Sequence, residues 1–366
     1  MMKKLIKYTF FLGMIIMISC STGNAQINLE EITVREIWSE EVKSSEKMFE
    51  FISHYHNAFT SLLLYKDNFY CSFRQGSDHG AGADGVIRII KSKDGKDWES
   101  VVTLKKVGYD LRDPKLSITP DGRIMVIMGG SVWENREIMS QLSHVSFSDD
   151  AGTIFSEPQP INVPSNIRSK YDWLWRVTWY NNTGYGVLKQ QNRDNPEQIT
   201  KKISLLKTNN GIDYILIKKF EGLGDNSTES TVRIMPDGEM FMMVRRNPEG
   251  LWGRSKPPYE EWTLKGSGMR FGGPDFIPLN DNYFIACARI YESTSGTGLF
   301  LVTKDGKFSK ILRLPSGGDN SYPGLVIVKD RLYVSYYSSH EGHTNIYFAE
   351  IPLSLIIGMT NSPPTE

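Results

Sequence analysis

A chain of 366 residues, 40% hydrophobic and 23% charged, holds ample apolar material for a globular core. Its 42 Lys and Arg balance 42 Asp and Glu, so no basic track awaits a phosphate backbone and nucleic acid is excluded as a partner. Any charge selectivity must be local, set by a few side chains in one pocket.

The opening stretch MMKKLIKYTFFLGMIIMISCSTGNAQ places lysines ahead of an apolar run that ends in small and polar residues. That is the pattern of an export signal. The run falls short of the roughly 20 apolar residues that a membrane span needs, and no later segment approaches that length. Met17-Ile18-Ser19-Cys20 resembles a bacterial lipobox. The resemblance implies a signal over residues 1–20, a lipid on Cys20 and an exported lipoprotein of the periplasm, outer membrane or cell surface. Its only membrane contact would then be that anchor. Ordinary cleavage after Ala25, in the small-residue site GNA, is the alternative. Residues 21–29 read as a linker and 356–366 as a C-terminal tail.

Between them, residues 30–355 repeat one plan. Six segments pair a short apolar strand, a polar turn and a second apolar strand, starting at Ala58, Pro114, Arg176, Ser230, Pro274 and Tyr322. Their turns, KDN, PDG, NNTG, PDG, NDN and KDR, carry the Asp, Asn and Gly that tight hairpins require. Further strand-like runs such as GVIRIIKS and NIYFAEI lie between them. A hairpin with one or two extra strands makes a four-stranded blade, so the repeat predicts an all-β, six-bladed β-propeller. EEITVREIW, from Glu30, is expected to complete the last blade beside IYFAEI. Cys71 and Cys287 sit in non-adjacent repeats and are expected to be buried free thiols rather than a bridge.

SDDAGTIF, from Ser148, fits the Asp-box pattern, SKDGKDW is one residue shorter and TNNGIDY is degenerate. Ser and Asp side chains there are expected to bond turn amides and serve as scaffold. Charge gathers instead at the ends of the hairpins that line a propeller's opening: Arg74 with Asp78, His79 and Asp84; Arg112 with Asp113; Arg176 after two tryptophans; Glu229; Arg245 and Arg246; Arg289; Tyr322; His340 with Glu341.

In its Asp boxes and in the order of these residues the chain resembles the sialidase superfamily of six-bladed propellers. At a strand entry beside Pro323 and Gly324, Tyr322 is expected to be an exposed phenol, and the resemblance implies it as nucleophile with Glu229 as its base, Arg245 and Arg289 on the substrate carboxylate, and Glu341 steadying an arginine. It implies an acid/base Asp on the loop after Arg74, with Asp78 preferred and Asp84 the alternative, and gives Asp113, in RDPKL, a place in the pocket wall. Tyrosine suits an anionic sugar because a carboxylate nucleophile would be repelled. Arginine suits its carboxylate because the planar fork binds it bidentately. The family's early arginine is missing. His56 or Asn57 stands there, and Arg74, Arg112 or Arg176 would have to supply the charge.

The expected function is an exo-acting glycoside hydrolase on a glycan with a terminal acidic sugar. Two alternatives stay open: a polysaccharide lyase with His340 or His56 as base, and a glycan-binding propeller whose Trp173, Trp175 and Trp179 stack on sugars. The histidines lack ligand spacing and no nucleotide-binding glycine loop precedes a helix, so neither a metal nor a cofactor is expected.

Overall fold

The computed structural model describes residues 31–41, 53–80, 85–193, 195, 197–224 and 226–360. Cys20 with the signal segment, the linker, Asp84 and residues 361–366 of the tail lie outside the described residues.

After β1 (Thr33–Trp38), the chain folds into successive four-strand units. These are β2 (His56–Tyr65), β3 (Asn68–Gly76), β4 (Val86–Ser92) and β5 (Glu99–Leu104); then β6 (Asp110–Ile118), β7 (Ile124–Glu134), β8 (Glu137–Phe147) and β9 (Gln159–Pro160). Next come β10 (Tyr171–Tyr180), β11 (Thr183–Asn192), β12 (Thr200–Thr208) and β13 (Ile215–Lys219), followed by β14 (Ser230–Ile234), β15 (Met240–Val244), β16 (Leu251–Ser255) and β17 (Thr263–Gly266). The series ends with β18 (Phe271–Pro278), β19 (Tyr283–Tyr291), β20 (Ser295–Thr303) and β21 (Phe308–Leu314), then β22 (Asn320–Val328), β23 (Arg331–Ser338) and β24 (Asn345–Pro352). Strands pair antiparallel in chain order within each unit, and one parallel pairing, Tyr171 with Gln141, joins β10 to β8. β1 lies antiparallel to β24, with Thr33 opposite Glu350, so EEITVREIW does complete the last sheet. The hairpin turns follow the sequence too: Lys66, Asp67, Asn181 and Asn182 all take positive φ.

Each unit is buried on both faces, which explains runs such as IMVIM and MFMMV. Side chains alternate across a strand. In β7, Met125 and Ile127 join the cluster shared with β10–β12, while Ile124, Val126 and Met128 join the cluster shared with β2–β4. In β15, Phe241 and Met243 face the β18–β20 unit, and Met240, Met242 and Val244 face the β11–β12 unit. The first strands of the units also touch in sequence, β2 with β6, β6 with β10, β10 with β14, β14 with β18, β18 with β22, and β22 with β2. Cys71 and Cys287 are free and buried, and burial pushes the Cys71 thiol up to about 12.

In the outer turns Ser92 Oγ accepts from the Gly95 amide at 2.9 Å, and Asp94 Oδ1 from those of Lys96 and Asp97 at 2.8 and 3.1 Å. Thr208 and Asn210 repeat the arrangement. In SDDAGTIF the bonding carboxylate is Asp149, on the Thr153 and Ile154 amides, rather than the Asp150 that the pattern indicates. The tail differs from expectation at its start: LSLIIGMT forms α1 (Leu353–Thr360), anchored by buried Leu353 and Ile356.

One distortion recurs. The pairing of a first strand with its neighbour slips between Ala58 and Ser61, Arg112 and Lys115, Leu174 and Val177, Gly272 and Asp275, and Ser321 and Gly324. At four of these bulges a residue turns left-handed: Phe59 (φ 64°), Asp113 (50°), Gly273 (55°) and Tyr322 (50°). Such bulges re-aim side chains. Asp113 and Tyr322 also precede prolines, which steer the preceding residue toward extended backbone, so both are strained on two counts. The released carbonyls find partners: Thr60 Oγ1 donates to Tyr322 O at 2.9 Å and Thr231 Oγ1 to Pro274 O at 2.7 Å. Gly324, of SYPGL, is required by the close approach of β22 to β2, since a Cβ there would lie 2.1 Å from the Leu62 nitrogen.

Candidate active site

The bulge in β22 swings the Tyr322 ring into an aromatic cage. Phe59, Trp175 and Tyr337 surround it at centroid distances of 5.2, 5.7 and 6.0 Å, and the Arg289 guanidinium lies over its face at 5.1 Å. Tyr322 was expected to be an exposed phenol. It is instead 7% exposed, because the cage closes on the ring. Its hydroxyl nonetheless has a defined task, donating to Glu229 Oε1 at 3.0 Å while accepting from Arg245 Nη1 at 2.9 Å. Arg245 Nη1 also bonds both Glu229 oxygens, at 2.7 and 2.8 Å. Glu229 stands just before β14 and Arg245 just after β15, so one hairpin presents both.

Burial works against the Glu229 charge, but Arg245 outweighs it and holds the carboxyl below the usual range. Burial, followed by the Glu229 charge, pushes the Tyr322 phenol well above its ordinary value despite Arg245 and Arg289. Tyr322 is therefore a neutral phenol at working pH.

Three arginines flank this phenol. Arg289 donates to Asp319 Oδ1 at 2.9 Å, to Tyr337 Oη at 2.7 Å and to the Asn320 carbonyl. Arg112 lies over Phe59 at 4.9 Å and Trp173 at 5.6 Å, and among the described residues its hydrogen bond runs from Nε to Asp113 Oδ2 at 3.2 Å. The structure thus brings Arg112, rather than Arg74 or Arg176, to the region left without the early arginine. Arg74 is fully buried, held by Asp110 Oδ1 at 2.7 Å and the Asp78 carbonyl at 2.6 Å. Arg176 is buried against Asp275 at 3.2 Å, and burial pulls it down to about 10. Both were expected to touch substrate; each is instead turned onto a buried carboxylate, Asp110 or Asp275.

Glu341 does not steady an arginine. It accepts from Tyr347 at 2.6 Å, and the acid on Arg289 is Asp319. His340 is exposed beside Ser338, bonded at 2.9 Å, and contacts neither Tyr322 nor Glu229. Asp113 is buried beside Arg112, with burial pulling its carboxyl up. Asp78 turns away from the phenol, accepting from the His79 amide at 2.6 Å and Arg136 at 3.3 Å. Partial burial pulls its carboxyl up, yet these two bonds prevail and hold it below the usual carboxylate range. Of the tryptophans, Trp175 packs on Tyr322, Trp173 lines the cleft beside Lys189, and Trp179 borders a different cavity with Phe147.

Asp319, three residues before Tyr322, carries no mark in the sequence, although GDNSYPGL places it on the same strand approach. Its Oδ2 meets His56 Nε2 at 2.9 Å and His79 Nδ1 at 2.6 Å. Residues 56, 79 and 319 come from distant segments, so no local spacing announces this cluster, whose potential ligand atoms lie within 4.8 Å of one another. The cluster is a poor fit for a metal. His56 Nδ1 is buried without a partner, whereas a metal-bound imidazole donates that second N–H to an acceptor.

Beneath the site, buried Lys115 donates to the Thr60 carbonyl at 3.0 Å and lies over Trp175 at 4.6 Å, near Asp113, Arg176, Asp275 and Glu229. Burial pulls its ammonium down to about 7. An unfolded lysine keeps its proton to roughly pH 10.4. The unfolded chain then binds the extra proton above pH 7, and this lysine makes stability rise with pH through that window, by at most about 1.4 kcal/mol per unit. Lys115→Met is expected to flatten the rise between pH 7 and 9, read from urea-unfolding free energies. An unchanged slope would mean that the lysine is charged in the fold.

No family model matches this sequence, and no curated protein matches it. Among solved structures it is similar to a Dyadobacter fermentans protein of unknown function, with a TM-score of 0.70 and 18% identity, over 87% of this chain and 99% of that one. Trypanosoma rangeli sialidase aligns with a TM-score of 0.65 and 12% identity over 90% of this chain, which spans 60% of the sialidase. The fold is sialidase-like. An α-L-arabinofuranosidase from Fusarium graminearum also aligns, with a TM-score of 0.60 and 16% identity over 82% of this chain and 94% of that one. The all-β, propeller-type scaffold is thus shared with glycoside hydrolases of different specificity, and at these identities the likeness speaks of fold alone.

Proposed function

We propose that this protein is an exo-acting glycoside hydrolase on a six-bladed β-propeller, which removes an acidic sugar from the non-reducing end of a glycan with retention of configuration. The ring of contacts among first strands supports the blade number. The observation that carries the function is the Glu229–Tyr322–Arg245 triad, a buried neutral phenol bonded to a carboxylate and a guanidinium. As Tyr322 Oη bonds the anomeric carbon, its proton passes to Glu229 and the glycosidic oxygen departs with a proton from a general acid. Water then attacks the same carbon, giving a proton back to the deprotonated general acid, while the Tyr322 Oη–carbon bond breaks and Glu229 returns its proton to Oη. Arg112, Arg245 and Arg289 receive the sugar carboxylate. The enzyme acts outside the cytoplasm, tethered through Cys20.

Among the described residues, His79 is better placed than Asp78 to serve as the general acid. It is half exposed, braced by Asp319 at 2.6 Å and stacked edge-on to Phe59 at 5.0 Å. An Asp-braced imidazole can present its other nitrogen to a leaving oxygen. His79→Gln is expected to slow an unactivated glycoside by about 10²-fold or more, yet barely slow an aryl glycoside whose phenol leaves unaided. If that split follows Asp84→Asn instead, Asp84 holds the role.

The function itself is tested by incubating the protein with sialosides, uronides and neutral glycosides and following the anomeric proton by NMR. Release of an acidic sugar with retained configuration is expected. Inversion, or an ultraviolet-absorbing unsaturated product, would overturn the reading.

A further inference from the structure

The cavity that reaches Glu229, Arg245 and Trp175 extends well past them, to about 730 Å³. Besides Arg136, which is paired with Asp78 at 3.3 Å, four further cations line it: Lys189, Arg193, Lys201 and Arg246. None forms an ion pair with a carboxylate among the described residues. Lys189 meets only neutral groups, the Gln141 side-chain oxygen at 3.1 Å and the Trp173 face at 4.8 Å. Arg193 lies over Tyr171 at 5.4 Å, and Arg246 donates to the carbonyls of Glu249 and Leu223 at 3.2 and 3.4 Å. Of the two acids on the same wall among the described residues, Glu229 is already bonded twice by Arg245, leaving Glu137. The excess is local, because the whole chain is formally neutral. Burial pulls Lys189 down to about 8, and the charges of Lys201 and Arg112 act in the same direction, partly offset by Glu229 and Asp113. An anion arriving here would relieve that repulsion.

We propose that this cleft is a second sugar subsite for a polyanionic glycan, in which the unit on the leaving-group side stacks on Trp173 and its sulfate or carboxylate is held by Lys189, Lys201 and Arg193. Which end of the glycan enters rests on the glycosidase reading; the binding does not. Sugar faces suit an aromatic platform, while sulfate and carboxylate suit cations on a desolvated wall. Among the described residues, a neutral glycan would leave these four cations with Glu137 alone as a free acid on the wall.

The test uses the full chain carrying Tyr322→Phe, so that ligand survives the measurement, and titrates it calorimetrically with three oligosaccharides of equal length. These are hyaluronate, which carries carboxylates alone, chondroitin sulfate, which carries both groups, and a neutral chitooligosaccharide. The expected result is binding of one or both anionic ligands that weakens as salt rises, with the hyaluronate arm telling carboxylate from sulfate. The added change Lys201→Gln should weaken binding about tenfold, the loss of one charge-assisted hydrogen bond, and Lys201→Arg should restore it. Equal binding of the neutral ligand, or binding of single-stranded DNA as tight as that of the glycans, overturns the proposal. If anionic glycans bind but the unsubstituted protein cleaves no glycoside, the subsite stands and the hydrolase reading falls. If small glycosides are cleaved and the titrations show no preference for anions, the hydrolase reading stands and the subsite falls.

Discussion

Tyr322→Phe should leave a folded protein with turnover reduced on the order of 10³-fold or more, the scale seen when a covalent nucleophile is removed. The change deletes one oxygen and keeps the ring that Phe59, Trp175 and Tyr337 enclose. Phe tolerates the left-handed φ of 50° no better and no worse than Tyr, so the backbone strain is unaltered. Glu229 retains its two bonds to Arg245 Nη1, so the buried carboxylate stays paired. Loss of the phenol's hydrogen bonds should therefore lower stability by only about 1 kcal/mol. Thermal unfolding and turnover of an aryl glycoside, measured on the same preparation, separate the two effects. Near-normal turnover would eliminate tyrosine catalysis and leave the triad as architecture.

Arg112→Gln should separate substrates by charge. If Arg112 fills the place of the early arginine, its loss removes a charged bond worth about 2–3 kcal/mol, or roughly 30- to 150-fold in kcat/KM, toward a substrate bearing a carboxylate. Toward the same glycoside with the carboxylate reduced to an alcohol, the variant and the parent should differ little. Part of the loss should fall on kcat, since the carboxylate must stay gripped as the ring flattens in the transition state. The buried partner Asp113 would be left with its charge uncompensated, and with burial already raising its carboxyl it would take up a proton. Arg112→Lys keeps a positive charge beside Asp113 and isolates the planar fork. Equal losses on both substrates would show that Arg112 acts through Asp113 and not through the sugar.

Strand order was written plainly in this sequence. KDN, PDG and NNTG force hairpins by their own backbone preferences, and unbroken runs such as MFMMV can only be strands buried on both faces. The pairing of Glu229 with Tyr322, 93 residues apart, could be foreseen only through the resemblance, because nothing local links the two. The partners of Arg289, Glu341 and His79 were illegible for a different reason. They depend on how loop residues such as His79, Asp319 and Glu341 are placed between strands, and loop geometry leaves no periodic mark in the sequence. Arg74 and Arg176 look like pocket residues in the sequence because charge is rarely buried. Only the three-dimensional pairing with Asp110 and Asp275 shows that they are inward-facing ions. The helix α1 was missed because LSLIIGMT is apolar throughout, without the polar face that betrays a surface helix.

The recurring left-handed bulge means that the scaffold manufactures the same socket several times and lets the occupant decide its use. Phe59 fills one as a cage wall, Asp113 another as a buried acid, Tyr322 a third as the phenol bonded to Glu229 and Arg245, and Gly273 leaves the fourth vacant. The vacancy is itself functional, since a Cβ at 273 would lie 2.6 Å from the Tyr322 ring. Specificity in such a molecule is adjustable by exchanging socket occupants while the sheets around them stay constant. The occupants at 59 and 113 can therefore change more freely than the glycine at 273, which the Tyr322 ring holds fixed.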